Sequence, residues 1–211
     1  RAYATNELGT AYSEEESLIT VPEEQEPTGY INGYPYVDLG LPSGLKWATH
    51  NVGASTTTDF GELYAWGEIE TKSSYTPENC SSFSLTEDIS GDTRYDAARA
   101  KWSSTWRMPT LDEVKELAEN CTYRWVIYDG NERLMITGPN GNYIFFPTIY
   151  LYEIDVLYGN CWTSTPDNIM TYDDYPVAYM MSVHNLNDVW YGLVNARTER
   201  WRCNGIRPVS D

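Results

Sequence analysis

The chain has few of the residues on which metal binding and nucleophilic catalysis most often depend. Its 211 residues include only two histidines, His50 and His184, and four cysteines. No segment matches H-E-x-x-H, a P-loop, G-x-S-x-G or a dinucleotide-binding fingerprint, which hold metal ligands, phosphates or a nucleophile at set spacings. We therefore expect a protein that is not an enzyme, with no catalytic residue, no metal-ligating residue and no cofactor.

The cysteines are too far apart to form a typical zinc site. Cys80, Cys121, Cys161 and Cys203 include no C-x-x-C pair. An even number of cysteines fits an exported protein with disulfides, for which three pairings exist. Buried free thiols fit equally well, because cysteine packs as a small apolar side chain. The residues alone leave both alternatives open.

Basic residues are scarce as well. Lysine and arginine together number 14 against 31 aspartates and glutamates, so the formal net charge is −17. Binding to nucleic acid needs a basic surface that neutralises phosphates, and the same argument disfavours anionic membrane surfaces. No apolar run approaches the ~18 residues that a membrane-spanning helix needs. The composition therefore argues against nucleic-acid partners and against a membrane-spanning segment.

The first 28 residues differ in composition from the rest. Residues 1–28 hold seven glutamates and no lysine, tryptophan or cysteine. Such a stretch buries too little apolar surface to fold alone, so we expect an acidic linker or N-terminal extension. The short apolar segment 18–21 could instead add a strand to a neighbouring protein. Residues 29–211 form the predicted folded domain.

Two helices and many short strands are predicted in this domain. Thr110 and Glu113 form a capping box, and Leu111, Val114 and Leu117 follow at helical spacing, which predicts a helix ending near Asn120. A shorter helix is predicted over 95–102. The predicted strands cover residues 36–39, 45–49, 123–128, 133–137, 143–147, 161–164, 177–183, 189–195 and 206–209. With a long irregular stretch at 50–94, the pattern predicts an α+β fold with antiparallel sheets, two short helices and long loops.

Two arginines stand near prolines and apolar residues at the edges of predicted elements. They are Arg107 in WRMPT and Arg207 in GIRPV. A guanidinium in such a place packs against aromatic rings and backbone carbonyls. We expect both to be buried structural groups, each contributing about 1–3 kcal/mol through its hydrogen bonds.

Several phrases occur in the same order as in one known family. They are YVDLGLPSGLKWAT at 36–49, NVGA at 51–54, YAWGE at 64–68, DAAR at 96–99, WRMPT at 106–110, NCT at 120–122, GPNGN at 138–142, WTST at 162–165 and RPV at 207–209. The segment 36–209 resembles the Fibrobacter succinogenes major paralogous domain family. The resemblance implies a C-type-lectin-like fold, distantly related to formylglycine-generating enzymes and retroelement-diversified variable proteins. It also implies an exported protein of the extracellular or outer-membrane surface, often a lipoprotein of gut Bacteroidetes, with a role in adhesion or ligand binding.

The resemblance also carries expectations for particular residues. The tryptophans inside family phrases are expected in the core: Trp47, Trp66, Trp102, Trp106 and Trp162. His50 stands where the family often has cysteine, while Cys161 and Cys203 stand where aromatic residues are more usual. A Cys161–Cys203 bridge is the disulfide that this comparison suggests. Formylglycine generation needs a close pair of reactive cysteines near the C-terminus, so this activity is disfavoured.

The segment before the last predicted strand is the expected ligand face, because C-type-lectin-like domains present ligands there. Tyrosine and tryptophan give large contact areas at little entropic cost, and asparagine and arginine add hydrogen bonds. Arg200 lies in the same segment, and the alternative is that part of these aromatic side chains belong to the core. The predicted ligand-binding residues are Trp190, Tyr191, Asn195, Arg197 and Trp201, with Tyr172 and Asp174 from a neighbouring loop.

Acidic clusters and competing functions complete the set of expectations. Asp173-Asp174 and Glu87-Asp88 with Asp92 read as solvated loops, with a structural calcium ion as the alternative. We expect a non-catalytic surface module, adhesin-like or pilus-tip-like, that binds a glycan or a protein. One alternative is an assembly subunit that engages a surface-appendage partner through its N-terminal extension. The other is an enzyme of the formylglycine-generating or glycosidase type.

Overall fold

Antiparallel sheets make up most of the regular structure. The computed structural model describes residues 3–6, 9–12, 25–151, 156–186, 189–191 and 196–211. This part of the chain contains two α-helices, α1 (Ala97–Trp102) and α2 (Leu111–Asn120). The strands in chain order are β1 Tyr3–Asn6, β2 Gly9–Tyr12, β3 Gly29–Ile31, β4 Tyr34–Asp38, β5 Lys46–Ala48, β6 Tyr64–Ala65, β7 Thr122–Tyr128, β8 Asn131–Thr137, β9 Tyr143–Phe146, β10 Ile149–Leu151, β11 Val156–Tyr172, β12 Tyr175–Leu186, β13 Val189–Tyr191, β14 Ala196–Glu199, β15 Cys203–Asn204 and β16 Val209–Ser210. The predicted α+β class with antiparallel sheets is confirmed.

The strands form five sheets. β16, β5, β4 and β3 form a four-stranded sheet, and β7, β8 and β9 form a three-stranded one. The largest sheet is built on the β11–β12 ribbon, with β10 beside β11 and with β13 and β14 along β12. β15 pairs with β6, and β1 pairs with β2. The last strand therefore closes a sheet begun near residue 29, and the final third of the chain supplies the largest sheet.

The predicted strand at 206–209 is interrupted. Only Val209 and Ser210 pair with β5, and Cys203 and Asn204 pair with β6 instead. Pro208 has no N–H to donate to a ladder, although its carbonyl accepts from Ala48 at 2.9 Å. The strands predicted at 161–164 and 177–183 are parts of the much longer β11 and β12. β13 ends at Tyr191, and the remainder of the predicted strand, 192–195, lies outside the described residues.

Side chains begin both helices. The hydroxyl of Thr110 accepts from the N–H of Glu113, and the Glu113 carboxylate accepts from the N–H of Thr110, which is the predicted capping box. The other helix begins at Ala97 rather than at 95, because the extended Asp96 caps it through the N–H of Arg99. α2 ends at Asn120, as predicted. In the described part of the chain, neither helix is long and apolar enough to cross a lipid bilayer.

Tryptophan side chains join the elements of the core. All five tryptophans predicted there are buried, which confirms that expectation: Trp47, Trp66, Trp102, Trp106 and Trp162. The Trp66 Nε1 donates to the Thr163 carbonyl at 2.9 Å, and the Trp162 Nε1 donates to the Tyr64 carbonyl at 2.8 Å. These reciprocal bonds hold β6 against β11, so indole N–H groups as well as apolar contacts fix the long loops.

Arg207 is buried as predicted, whereas Arg107 is only partly buried, and both act as clamps, that is, guanidinium groups that hold separate segments together. Arg107 forms two hydrogen bonds to the Glu113 carboxylate, at 2.8 and 2.7 Å, and a third to Asp211 at 2.7 Å. Arg207 is fully buried and donates to Asn51 Oδ1 at 2.8 Å and to the carbonyls of Ala48 and Thr49 at 3.3 and 3.2 Å. Burial lowers the pKa of Arg207 to about 10, so the guanidinium stays charged at neutral pH.

The suggested Cys161–Cys203 bridge is wrong. All four cysteines lie in the described part of the chain and all are free thiols. Cys161 is fully buried with its Sγ 3.4 Å from Asn51 Nδ2, whereas Cys203 is half-buried in another β-strand. The backbone of Cys161 forms an isolated β-bridge with Gly205, not with Cys203. Of the two alternatives left open above, the free-thiol one applies in this structure.

The N-terminal region is described only in part. β1 and β2 pair with each other in register from Tyr3↔Tyr12 to Asn6↔Gly9. Residues 13–24, which hold most of the glutamates of the predicted acidic linker, lie outside the described residues. Further on, the predicted irregular stretch 50–94 contains only β6 and one 3₁₀ turn, Pro77–Asn79. The boundary predicted between residues 28 and 29 stays a prediction.

Candidate functional site

An open cleft of about 660 Å³ lies where β14, β15 and the turn between them meet β11. It falls within the range of about 300–1,000 Å³ that is typical of small-molecule sites. Tyr172 and Trp201, two of the predicted ligand-binding residues, are part of its wall. The lining residues are Tyr75, Tyr158, Asn160, Tyr172, Thr198, Glu199, Trp201, Arg202, Cys203 and Asn204.

Irregularities in β11 bring separate parts of that strand to the same cleft. The pairing with β12 shifts register between Trp162 and Pro166 and again between Asp167 and Thr171. Such bulges bend a strand and redirect its side chains. At the start of β11, a Cβ on Gly159 would overlap the Pro147 carbonyl oxygen, so only glycine allows this close approach. The bent strand thus contributes side chains from both ends to the cleft.

Among the described residues, four aromatic side chains line the cleft. Tyr172 is the most open, with 40% of its surface exposed, and Tyr75, Tyr158 and Trp201 are half-buried. The hydroxyl of Tyr75 accepts from the N–H of Lys72 at 3.1 Å and donates to the Leu63 carbonyl, which fixes the ring. Rings held in this way offer contact area to a ligand at little cost in side-chain entropy.

An ion pair occupies one side of the cleft. Arg202 donates from Nε to Glu199 Oε2 at 2.7 Å and from Nη2 to Oε1 at 3.0 Å. The Thr198 hydroxyl also donates to Glu199 Oε2, at 2.8 Å. The hydrogen bonds from Arg202 are the main cause of the lowered pKa of Glu199, about 2. The Arg202 guanidinium lies 4.6 Å from the centre of the Trp201 ring. Glu199 is therefore ionised and already paired.

A buried amide in the cleft wall has an unused hydrogen-bonding atom. Asn160 is 8% exposed and its Nδ2 donates to the Tyr158 hydroxyl at 3.2 Å. No described residue forms a hydrogen bond to its Oδ1. A buried polar atom without a partner costs about 1–3 kcal/mol. Because Oδ1 is itself buried, a bound group recovers this energy only if the Asn160 side chain turns toward the cleft on binding. Asn204, also buried, lies beside it in the lining.

Of the other predicted site residues, Arg197 and Asp174 are described and do not line the cleft. Arg197 Nε lies 2.6 Å from Asp167 Oδ2, and its Nη2 donates to the Tyr179 hydroxyl at 3.1 Å. Asp174 lies in the turn at the tip of the β11–β12 ribbon. The backbone of Trp190 and Tyr191 pairs with Asn185 and His184. Their side chains, and Asn195 entirely, lie outside the described residues, so their roles stay predictions.

Arg200 lies in the segment expected to form the ligand face, but its side chain is not on the surface. It is fully buried, and its Nε donates to the Val177 carbonyl at 3.0 Å. Its Nη1 donates to the carbonyls of Leu85 at 2.5 Å and Ser82 at 3.3 Å, and the guanidinium lies 4.4 Å from the centre of the Trp66 ring. Arg200 is therefore a third clamp, which pins the long irregular stretch to the ribbon.

The acidic loops have internal partners. Asp88 accepts from the Thr165 hydroxyl at 2.6 Å, and Asp92 pairs with Arg94 at 2.6 Å. Among the described residues, no three His, Cys, Asp or Glu side chains come together as metal ligands would. The structural calcium ion stays a prediction. His50 is half-buried, and burial lowers its pKa to about 4, so the ring is neutral at neutral pH.

The turn at the tip of the β11–β12 ribbon allows a test of the left-handed backbone conformation of Asp174. Asp173 and Asp174 have φ values of 48° and 67°, as a type I′ turn requires, and glycine is preferred at the second position. We expect Asp174→Gly to raise the free energy of unfolding by about 0.5 kcal/mol, because it relieves a left-handed residue. Asp174→Ala, which removes the same carboxylate but keeps the strain, should lower it by a similar amount. Urea unfolding of both variants measures this difference, and a glycine variant less stable than the alanine variant would contradict the turn assignment.

Comparison with protein-family models, with curated proteins and with solved structures finds no match to this chain. Its function is therefore inferred from the cleft and its residues.

Proposed function

We propose that the chain is a non-catalytic recognition domain that binds a glycan in this cleft. The observation that carries the proposal is the combination of four aromatic rings with a buried amide whose Oδ1 has no partner. A sugar ring has apolar C–H faces that pack on aromatic side chains. Its hydroxyl groups both donate and accept hydrogen bonds, as the Asn160 amide does. The cleft wall therefore matches the two kinds of surface that a sugar presents.

The charged and nucleophilic groups of the cleft favour binding over catalysis. A glycosidase needs one carboxyl group with a raised pKa as its acid, whereas the pKa of Glu199 is lowered to about 2. Cys203 is the cysteine in the lining, and burial raises its pKa. Cys161 faces Asn51 and is fully buried, so the two thiols do not form a reactive pair in the cleft. These observations support recognition rather than formylglycine-type or glycosidase chemistry.

The proposal extends to the fold and its location. We assign residues 29–211 to a C-type-lectin-like domain of the major paralogous domain type, exported to the cell surface. The burial of residues in the family phrases supports this assignment. The tryptophans of these phrases and Arg207 are buried in the core. The cleft also lies beside the segment before the last strands, where that fold presents its ligand.

A glycan array followed by calorimetry on the strongest binder tests the proposal. We expect Tyr172→Ala combined with Trp201→Ala to weaken binding roughly thirtyfold, about 2 kcal/mol, as for central aromatic contacts in other interfaces. Tyr172→Ala alone, at an exposed position, should give part of this loss without affecting the fold. The matched control is Tyr30→Ala, since Tyr30 is 67% exposed on β3 and is not part of the cleft.

Two results would contradict the proposal. One is the absence of any binder on a broad array of neutral and acidic glycans. The other is a cleft double variant that remains folded and binds as tightly as the unchanged chain. A Trp190→Ala, Tyr191→Ala double variant is measured in parallel. If only that variant loses binding, the ligand contacts β13 and the cleft assignment is wrong.

A further inference from the structure

Building on the proposed glycan site, we propose that the cleft selects uncharged sugars and that Glu199 sets this selectivity by neutralising Arg202. Arg202 is the one cationic side chain among the described residues that line the cleft. It is therefore the natural partner for the carboxylate of a uronic or sialic acid. Its state decides whether the cleft accepts such sugars.

One of the two bidentate edges of Arg202 is already occupied. A guanidinium recognises a carboxylate most strongly through two parallel N–H donors. The Nε and Nη2 of Arg202 both donate to Glu199, at 2.7 and 3.0 Å. The Trp201 ring lies against one face of the same guanidinium, 4.6 Å away. An acidic sugar would have to displace Glu199 or bind the Nη1–Nη2 edge of a guanidinium whose charge Glu199 already neutralises.

Displacing Glu199 is unfavourable. Its side chain is buried, and the Thr198 hydroxyl holds the carboxylate at 2.8 Å. Separated from Arg202, it would be a buried charge without its cation, which is strongly destabilising. Asp173 also lies close enough to raise the pKa of Arg202, and the whole chain carries a net charge of −17. The negative charge of Asp173 and the net negative charge of the chain both repel an incoming anion.

The remaining groups of the cleft suit a neutral, hydroxyl-bearing ligand. Whichever way the Asn160 amide is turned, its single described partner is the Tyr158 hydroxyl, and its other polar atom is buried without a described partner. A sugar hydroxyl can pair with either atom because it both donates and accepts, whereas a carboxylate only accepts. Aromatic rings supply the rest of the surface. The geometry thus favours a hexose over the corresponding hexuronic acid.

Matched oligosaccharides test the inference. The probes are pairs that differ only in a terminal hexose or the corresponding hexuronic acid, and the measured quantity is the ratio of their dissociation constants. We expect the unchanged chain to bind the hexose member at least tenfold more tightly. Glu199→Gln should shift the ratio about tenfold toward the acid, because a ligand carboxylate can then pair with Arg202. This gain should shrink at high salt.

Two further variants make the result decisive. Arg202→Gln changes an exposed residue and leaves the Glu199 charge unpaired, so the ratio should shift away from the acid. Asp112→Asn removes one negative charge from an exposed residue of α2 and should leave the ratio unchanged. Equal binding of both sugars by the unchanged chain, or an unchanged ratio in folded Glu199→Gln, would overturn the inference while leaving glycan binding intact. Binding of neither sugar type would overturn the proposed function itself.

Discussion

Replacing Arg207 with methionine is expected to lower the free energy of unfolding by about 3 kcal/mol. The change removes the guanidinium donor from three acceptors, Asn51 Oδ1 and the carbonyls of Ala48 and Thr49, and leaves Asn51 Oδ1 with a weak contact to the Cys161 thiol at 3.8 Å. Each such buried acceptor costs about 1–3 kcal/mol when unpaired. Methionine fills much of the same volume and no longer buries a cation, which offsets part of the loss. The net effect is therefore smaller than the sum of the three bonds.

Guanidinium-induced unfolding of three variants measures this effect. Arg207→Lys keeps the charge but loses the planar fork, so its stability should fall between those of the unchanged chain and Arg207→Met. Arg107→Met is the matched control, because Arg107 is only partly buried and its partner Asp211 is exposed. We expect it to cost about 1 kcal/mol, as for partly exposed ion pairs. An Arg207→Met midpoint equal to that of the unchanged chain would show that the buried guanidinium makes no net contribution.

Replacing Asp96 with asparagine is expected to cost about 3–4 kcal/mol, although the two side chains have the same shape. Asp96 is fully buried, and its Oδ2 accepts from the N–H groups of Gly91 and Met108 at 2.7 and 2.8 Å. Its Oδ1 accepts from the backbone N–H of Arg99 at 3.0 Å, so Asp96 caps the start of α1. Asparagine has one acceptor oxygen, and its NH₂ group would face at least one N–H donor. Bonds to a charged acceptor contribute about 1.5–3 kcal/mol each.

The neighbouring Asp92 provides the control for this substitution. Asp92 pairs at the surface with the exposed Arg94, so Asp92→Asn should leave the free energy of unfolding nearly unchanged. Burial raises the pKa of Asp96, whereas the three N–H donors favour its ionised form. If Asp96→Asn unfolds at the same denaturant concentration as the unchanged chain, the carboxyl group is protonated in the folded state, and the stabilising role given to its charge is wrong.

Features that depend on neighbouring residues were predictable from the sequence. The capping box of Thr110 and Glu113 lies within one turn and located the start of α2, and the spacing of the apolar residues predicted its end near Asn120. Arg107 and Arg207 were identified as clamps because proline and apolar neighbours mark the edge of an element. The same reasoning failed by two residues at Ala97, where Asp96 acts as the cap without a capping box.

Features that depend on distant contacts were not predictable. Arg200 and Arg202 stand two positions apart in TERWR, yet the first is fully buried and the second is exposed. Nothing in that segment distinguishes them, because the carbonyls that bind Arg200 come from residues 82, 85 and 177. Tyr75, Tyr158 and Asn160 were missed for a similar reason: only the folded ribbon brings these segments together. Tyr172 and Trp201 were found through the family resemblance, which places the ligand face before the last strand, together with the aromatic composition of that region.

The pairing of β16 with β5 governs the order in which this chain can fold. Val209 pairs with Trp47 in β5 and bridges to Arg107, so the four-stranded sheet is complete only when residues far apart in sequence have met. Contacts of such long range slow folding, because a large loop must close before they form. During synthesis the early segments therefore stay unfolded until the final residues have been made. Until then their indole rings remain in contact with water. The many acidic side chains make incompletely folded chains repel one another. This repulsion limits their association before folding is complete.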